Sequence, residues 1–144
     1  MHRTAVALAL LLLAGTGCGK GGEVTIERKA ADGQTVKVNA GATGTVSLPA
    51  NFPKDIAIPK DSTVAVSMSK GTNLMVGFRV KGTVASTLAF YQEKLKGDGW
   101  TLNEPVDMNG SFGLEARKEE RKCEVMITPG EAGESIAQVH TSPE

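Results

Sequence analysis

The chain is poor in the residues on which most enzymes and metal sites depend. Its 144 residues include two histidines, two cysteines, one tryptophan and one tyrosine, and its 16 basic and 16 acidic side chains cancel. The basic residues are scattered, so no face concentrates enough positive charge to hold a phosphate backbone, and a nucleic-acid partner is excluded. Zinc sites need three or four Cys, His or carboxylate ligands at close spacing. Cys123 and His140 stand apart from such partners, so neither a metal nor another cofactor is expected. The glycines at 41 and 44, 97 and 99, and 110 and 113 fall singly, outside dinucleotide or P-loop spacing, and read as turns.

Long apolar runs are also missing. The longest, Ala5 to Ala14, falls short of the ~20 residues that a membrane-crossing helix needs. Arg3 precedes it and the small residues Gly15-Thr16-Gly17 follow it, which makes residues 1–17 a signal peptide, not a permanent span. Its removal takes away His2 and Arg3, leaving His140 as the one histidine and a slight excess of acid. Any Ser-His-Asp or Cys-His triad would have to use His140, which sits in Gln138-Val139-His140-Thr141 and reads as an exposed position on a final strand.

An apolar core ending in small residues immediately before Cys18 resembles the lipobox of bacterial lipoproteins, with Gly15 where an aliphatic residue is usual. The resemblance implies that Cys18 receives a diacylglycerol thioether and becomes the mature N-terminus. Gly19, Gly21 and Gly22 then make residues 18–22 a flexible tether. Gly19 stands where an Asp would favour inner-membrane retention, which implies an outer-membrane location facing the periplasm in a host with two membranes. With Cys18 consumed by lipid, Cys123 has no partner. Its place in Cys123-Glu124-Val125-Met126-Ile127, alternating apolar and polar, makes it a buried structural thiol before a redox-active one.

The rest of the chain reads as one domain in three stretches. Residues 23–48 form a small hairpin or meander from Val24-Thr25-Ile26, Val36-Lys37-Val38 and Thr45-Val46-Ser47-Leu48. Residues 49–62 form a stiff connector, with Pro49, Pro53 and Pro59 imposing extended backbone and Phe52, Ile56 and Ile58 suited to docking on the domain. Residues 63–144 form the main module. Val64, Val66 and Met68 alternate with Ala65 and Ser67, and Leu74, Val76, Phe78 and Val80 alternate with Met75, Gly77 and Arg79, predicting two antiparallel strands with each apolar set on one face.

Thr83 caps a predicted helix to about Lys96, whose stripe is Val84, Leu88, Tyr91 and Leu95. Strands follow around Leu102, Phe112 to Ala116, Cys123 to Ile127 and Ile136 to Thr141, and the charged run Arg117 to Lys122 reads as a solvated hairpin end. The fold class expected is α+β, a single helix packed on an antiparallel sheet (ββαβββ-like), preceded by a small N-terminal hairpin or meander.

The string Phe52-Pro53-Lys54-Asp55-Ile56-Ala57-Ile58-Pro59, a hairpin, and then Leu88-Ala89-Phe90-Tyr91 through Gly99-Trp100 resemble a module of uncharacterised small bacterial lipoproteins, with Ala57 in place of a proline. The resemblance covers 48–142 and implies architecture, not activity.

The function expected is a non-catalytic, lipid-anchored envelope lipoprotein. Its partners are the membrane, through Cys18, and either another envelope protein or a small apolar ligand held between helix and sheet. Phe90 and Trp100 are the candidate contact residues, each with a more ordinary role in the core. The competing readings are a small periplasmic hydrolase using two of Asp98, Glu104, Asp107, Glu115 and Glu124, and a purely structural envelope lipoprotein.

Overall fold

A computed structural model describes residues 22–41 and 46–144. The signal peptide read at 1–17, the lipidation site Cys18 and the tether as far as residue 21 lie outside the described residues. In chain order the elements are β1 (Glu23–Lys29), β2 (Thr35–Gly41), β3 (Ser62–Lys70), β4 (Asn73–Lys81), α1 (Val84–Gly97), β5 (Thr101–Leu102), β6 (Val106–Met108), β7 (Ser111–Lys118), β8 (Arg121–Pro129) and β9 (Glu134–Pro143). The nine strands of the described residues join one antiparallel sheet in the order β1-β2-β3-β4-β9-β8-β7-β5, with β6 also paired to β7.

The expected fold needs correcting on this point. The described residues form predominantly an antiparallel sheet carrying one short helix, not a helix on a small sheet with a separate hairpin before it. Register explains the difference. β2 pairs with the free edge of β3 from Val36↔Lys70 to Ala40↔Val66, so the N-terminal hairpin continues the main ladder. A lone hairpin is marginal in water, and joining a larger sheet supplies the neighbour that it lacks. Of the run at 45–48, expected to add a strand to that hairpin, the described residues 46–48 form none; Val46 is buried and its N–H donates to Val64 O at 3.0 Å.

The helix forms where its signals lie. Thr83 Oγ1 accepts from Ser86 N at 3.2 Å, capping the first turn, and Gly99, at φ +84°, follows the last. α1 lies across β7, β8 and β9 and buries Tyr91 and Leu95, with Val84, Leu88 and Phe90 packed at the margins of the core. Thr87 reaches across to β9, its Oγ1 2.8 Å from Ser135 Oγ.

The connector lies along the same side of the sheet. Phe52 and Ile56 are buried and Phe52 meets Phe78 edge-on at 6.0 Å, while Ile58 is exposed. Asp55 fixes the connector by accepting from Arg121 Nη1 and Nη2 at 3.0 and 2.6 Å and from Lys118 Nζ at 3.0 Å. The run 117–122 is thus not simply a solvated hairpin end, because two of its cations turn back onto the connector.

Candidate functional site

The two faces of the sheet differ. On the helix side, Val76, Phe78, Leu114, Ile127, Tyr91 and Leu95 are all at or below 2% exposure, so side chains fill the space where a ligand was expected. Among the described residues, no helix covers the opposite face. Directly paired residues in antiparallel strands point the same way, and the buried set fixes which way that is.

One rung of the open face runs Met75↔His140↔Glu124↔Glu115, and the next runs Gly77↔Gln138↔Met126↔Gly113↔Val106. The chain between β5 and β6, with Asn103 and Glu104, stands beside these rungs and completes a groove of about 420 Å³. Met75, Met126 and Val106 give it apolar walls; Glu104, Gln138 and His140 give it a polar rim.

The same rungs extend beyond the groove as Met75↔Met68↔Val38↔Ile26 and Gly77↔Val66↔Ala40↔Val24. An apolar stripe therefore crosses the open face from the groove to β1. Val66 belongs to it because of a bulge. The register shifts between Val64 and Val66, which turns Val64 to the helix side and Val66 to the open side, where its Cγ1 would lie 2.8 Å from a Cβ on Gly77. The alternating pattern by itself places these two valines on one face.

Charge at the groove is largely self-neutralising. Lys122 Nζ sits 3.0 Å from Glu115 Oε2 and 2.8 Å from Glu124 Oε1, Arg117 adds a contact to Glu115 at 3.1 Å, and His140 Nδ1 lies 3.3 Å from Glu124 Oε2. Hydrogen bonding from Lys122 holds both carboxyls below their usual range. Asn103 Nδ2 donates to Glu115 Oε1 at 3.0 Å and ties the wall of the groove to its floor. Glu104 has no ion-pair partner among the described residues, which leaves the rim slightly negative.

The residues singled out from sequence are dispersed. Trp100 is 4% exposed; its Nε1 donates to Asp55 O at 3.0 Å and the Arg121 guanidinium lies over its ring at 5.0 Å. Phe90 is half-buried, edge-on to Tyr91 at 5.3 Å, and borders a separate hollow of about 260 Å³ with Pro59, Lys60 and Val80. Cys123 is fully buried among core residues, and burial pushes its thiol up to about 12. Of the five acids considered for hydrolysis, Glu104, Glu115 and Glu124 converge at the groove.

Sequence reasoning missed the groove itself. The available signal was Met75 and Met126 at outward positions of otherwise alternating strands, where polar residues are the rule. Among the described residues, no group of three or more His, Cys, Asp or Glu side chains is placed to hold a metal ion, and no helix is long and apolar enough to cross a membrane.

Neither the curated proteins nor the solved structures include a match to this chain. Residues 60–137, from just before β3 into β9, match the sequence model of a family described as START domain-like, a description attached to ligand-binding modules. That match spans more than half of the chain and takes in the helix and most of the sheet, so the protein belongs to the START domain-like family.

Proposed function

We propose that this protein is an exported, lipid-anchored bacterial envelope module that binds a small, mainly apolar ligand in the open-face groove without chemically changing it. The observation that carries the reading is the contrast between the two faces: side chains fill the space between helix and sheet, leaving only the smaller hollow of about 260 Å³ at the helix edge, and the open side holds a groove of about 420 Å³ with methionine and valine walls. Clefts of ~300–1,000 Å³ with apolar walls and a few polar groups suit small molecules. Flexible methionines let such walls adapt to a ligand. The slightly negative rim, with Glu104 unpaired among the described residues, favours a neutral or cationic head group over an anionic one.

A paired-carboxylate hydrolase fits the groove less well. Such a mechanism needs one carboxyl held protonated near neutral pH. Glu115 and Glu124, the two acids that face each other across β7 and β8, are both shifted in the opposite direction by Lys122. Export and anchoring rest on the arrangement of residues 1–18, with Cys18 as the attachment point. In a host with two membranes the anchor lies in the outer membrane and the domain faces the periplasm.

Titration with Nile red, a neutral apolar fluorophore, tests the site. Met126→Glu should weaken binding at least about tenfold by placing a charge on an apolar wall, while Phe90→Ala should leave it unchanged. Loss of binding in Phe90→Ala with Met126→Glu unaffected would move the site to the helix edge and overturn the assignment. Mass spectrometry of the N-terminal peptide from cells tests the anchor. Acyl mass on Cys18 supports it, and an unmodified Cys18 rules it out.

A further inference from the structure

The two ends of the sheet are finished differently. At the β7 end the outer strands are β5 and β6, of two and three residues. At the other end β1 offers seven residues, every one exposed, paired to β2 in unbroken register from Glu23↔Gly41 to Lys29↔Thr35. Natural sheets blunt such an edge with a bulge, a proline, short length or an excess of lysine. β1 has no bulge and no proline, and its charges, Glu23 and Glu27 against Arg28 and Lys29, cancel. Val24 and Ile26 on its open-face side are 59% and 50% exposed.

We propose that β1 is a homodimerisation edge: two copies of the chain pair antiparallel along β1, with Ile26 opposite Ile26 and the two sheets merged into one. The sequence of the strand is complementary to itself in that register. Glu23 faces Lys29 of the second copy at both ends, Thr25 faces Glu27, and Val24 faces Arg28. Glu27 already pairs with Lys37 of its own chain at 3.3 Å, while among the described residues Glu23, Arg28 and Lys29 are in no ion pair.

Other registers are worse. Sliding by two residues in one direction sets Glu27 against Glu27, and in the other sets Glu23 against Glu27 twice, and like charges directly opposite are destabilising. The favoured register keeps both helices on one side of the merged sheet. Both apolar stripes then share the other side and meet at the Ile26 pair. The contact is isologous, so it uses up both β1 edges and closes at two copies instead of growing into a fibre. β1 lies outside residues 60–137, so the edge is separate from the part matched to the family.

Disulfide trapping in the full chain tests the register. Ile26→Cys sets a thiol opposite its own copy across the two-fold and gives a reducible dimer in high yield, whereas Arg28→Cys, facing Val24, does not. Equal trapping at both positions overturns the register, and trapping at neither overturns the edge.

Charge exchange is the second arm, read by light scattering of the full chain in detergent micelles. Lys29→Glu opposes Glu23 of the second copy and weakens the dimer at least about tenfold; adding Glu23→Lys restores it. A wild-type chain that stays monomeric at about 100 μM, or a dimer indifferent to Lys29→Glu, overturns the proposal. So does a chain that pairs with a strand of another protein and not with itself. Every side chain of β1 is exposed, so these substitutions leave the core intact, and the fluorescence of Trp100 reports that directly.

Discussion

Arg121 holds Asp55 with both terminal guanidinium nitrogens, at 3.0 and 2.6 Å, while its plane lies over the Trp100 ring. The two residues stand 66 positions apart in sequence, and the pair clamps the connector onto the end of the β7–β8 hairpin. Lys118 joins the clamp and also donates to Asp98 O at 2.7 Å, so connector, helix exit and hairpin meet at one point. A two-pronged pair of this kind is geometrically specific in a way that an isolated lysine contact is not.

The clamp gives the protein an acid-sensitive joint. Hydrogen bonding from Arg121 lowers the Asp55 carboxyl to about 2, well under its value in an unfolded chain. Its stabilisation is complete above the ordinary aspartate range and is lost as the pH falls from ~4 toward ~2. At face value the shift corresponds to about 2.5 kcal/mol, and solvent screening of this partly exposed pair reduces that to about 1 kcal/mol. Asp55→Asn should therefore melt roughly 4 °C below wild type at pH 7, and the two curves should converge by about pH 2. A gap that persists at pH 2 would assign the loss to packing instead of charge.

Tyr91 is an unusual core residue. It is fully buried, its hydroxyl has no hydrogen-bond partner among the described residues, and burial pushes its pKa up. A buried hydroxyl without a partner costs about 1–3 kcal/mol. Tyr91→Phe keeps the ring and removes that cost, so it should stabilise the fold by about 1 kcal/mol in urea unfolding. A loss of similar size would mean that the hydroxyl is satisfied in solution.

Cys123 offers a third test. Burial places its thiol at about 12, so almost no thiolate forms at neutral pH. Alkylation by iodoacetamide at pH 8 should run at least about a hundredfold slower in the native protein than in urea. With lipid on Cys18, unfolding should release one reactive thiol per chain; two would argue against the anchor.

What could be read in the sequence was whatever local periodicity controls. The stripe Tyr91 and Leu95, the cap Thr83, and the inward set Val76, Phe78, Val125 and Ile127 follow from spacing alone, since each position is fixed by its near neighbours. What could not be read depends on pairing between distant strands. No local signal told that β2 would meet β3, so the hairpin was separated from the sheet that it extends. Nor did any mark Arg121 as the partner of Asp55 within a run of mixed charge. The groove was hidden for the same reason: Met75, Met126 and Val106 come from three strands, and only the register Met126↔Gly113↔Val106 brings two of them into line.

The bulge at Ala65 was equally hidden, because one extra residue inverts the faces of a strand without changing its alternating pattern. It yields the sharpest packing prediction. Val66 lies over Gly77, its Cγ1 2.8 Å from where a Cβ would be, closer than real side chains approach. Gly77→Ala should cost about 1–3 kcal/mol through that overlap. Val66→Ala removes the offending methyl groups from a half-buried site and should cost less than the glycine substitution. In the double variant the overlap is gone, so its loss should be smaller than the sum of the single losses by about 1 kcal/mol or more, read as a coupling in urea denaturation. Additive losses would mean that Gly77 is required for its backbone and not for the space above it. Gly77 shares a rung with Gln138 and Met126, so the single variant should also weaken Nile red binding, and the double variant should recover it.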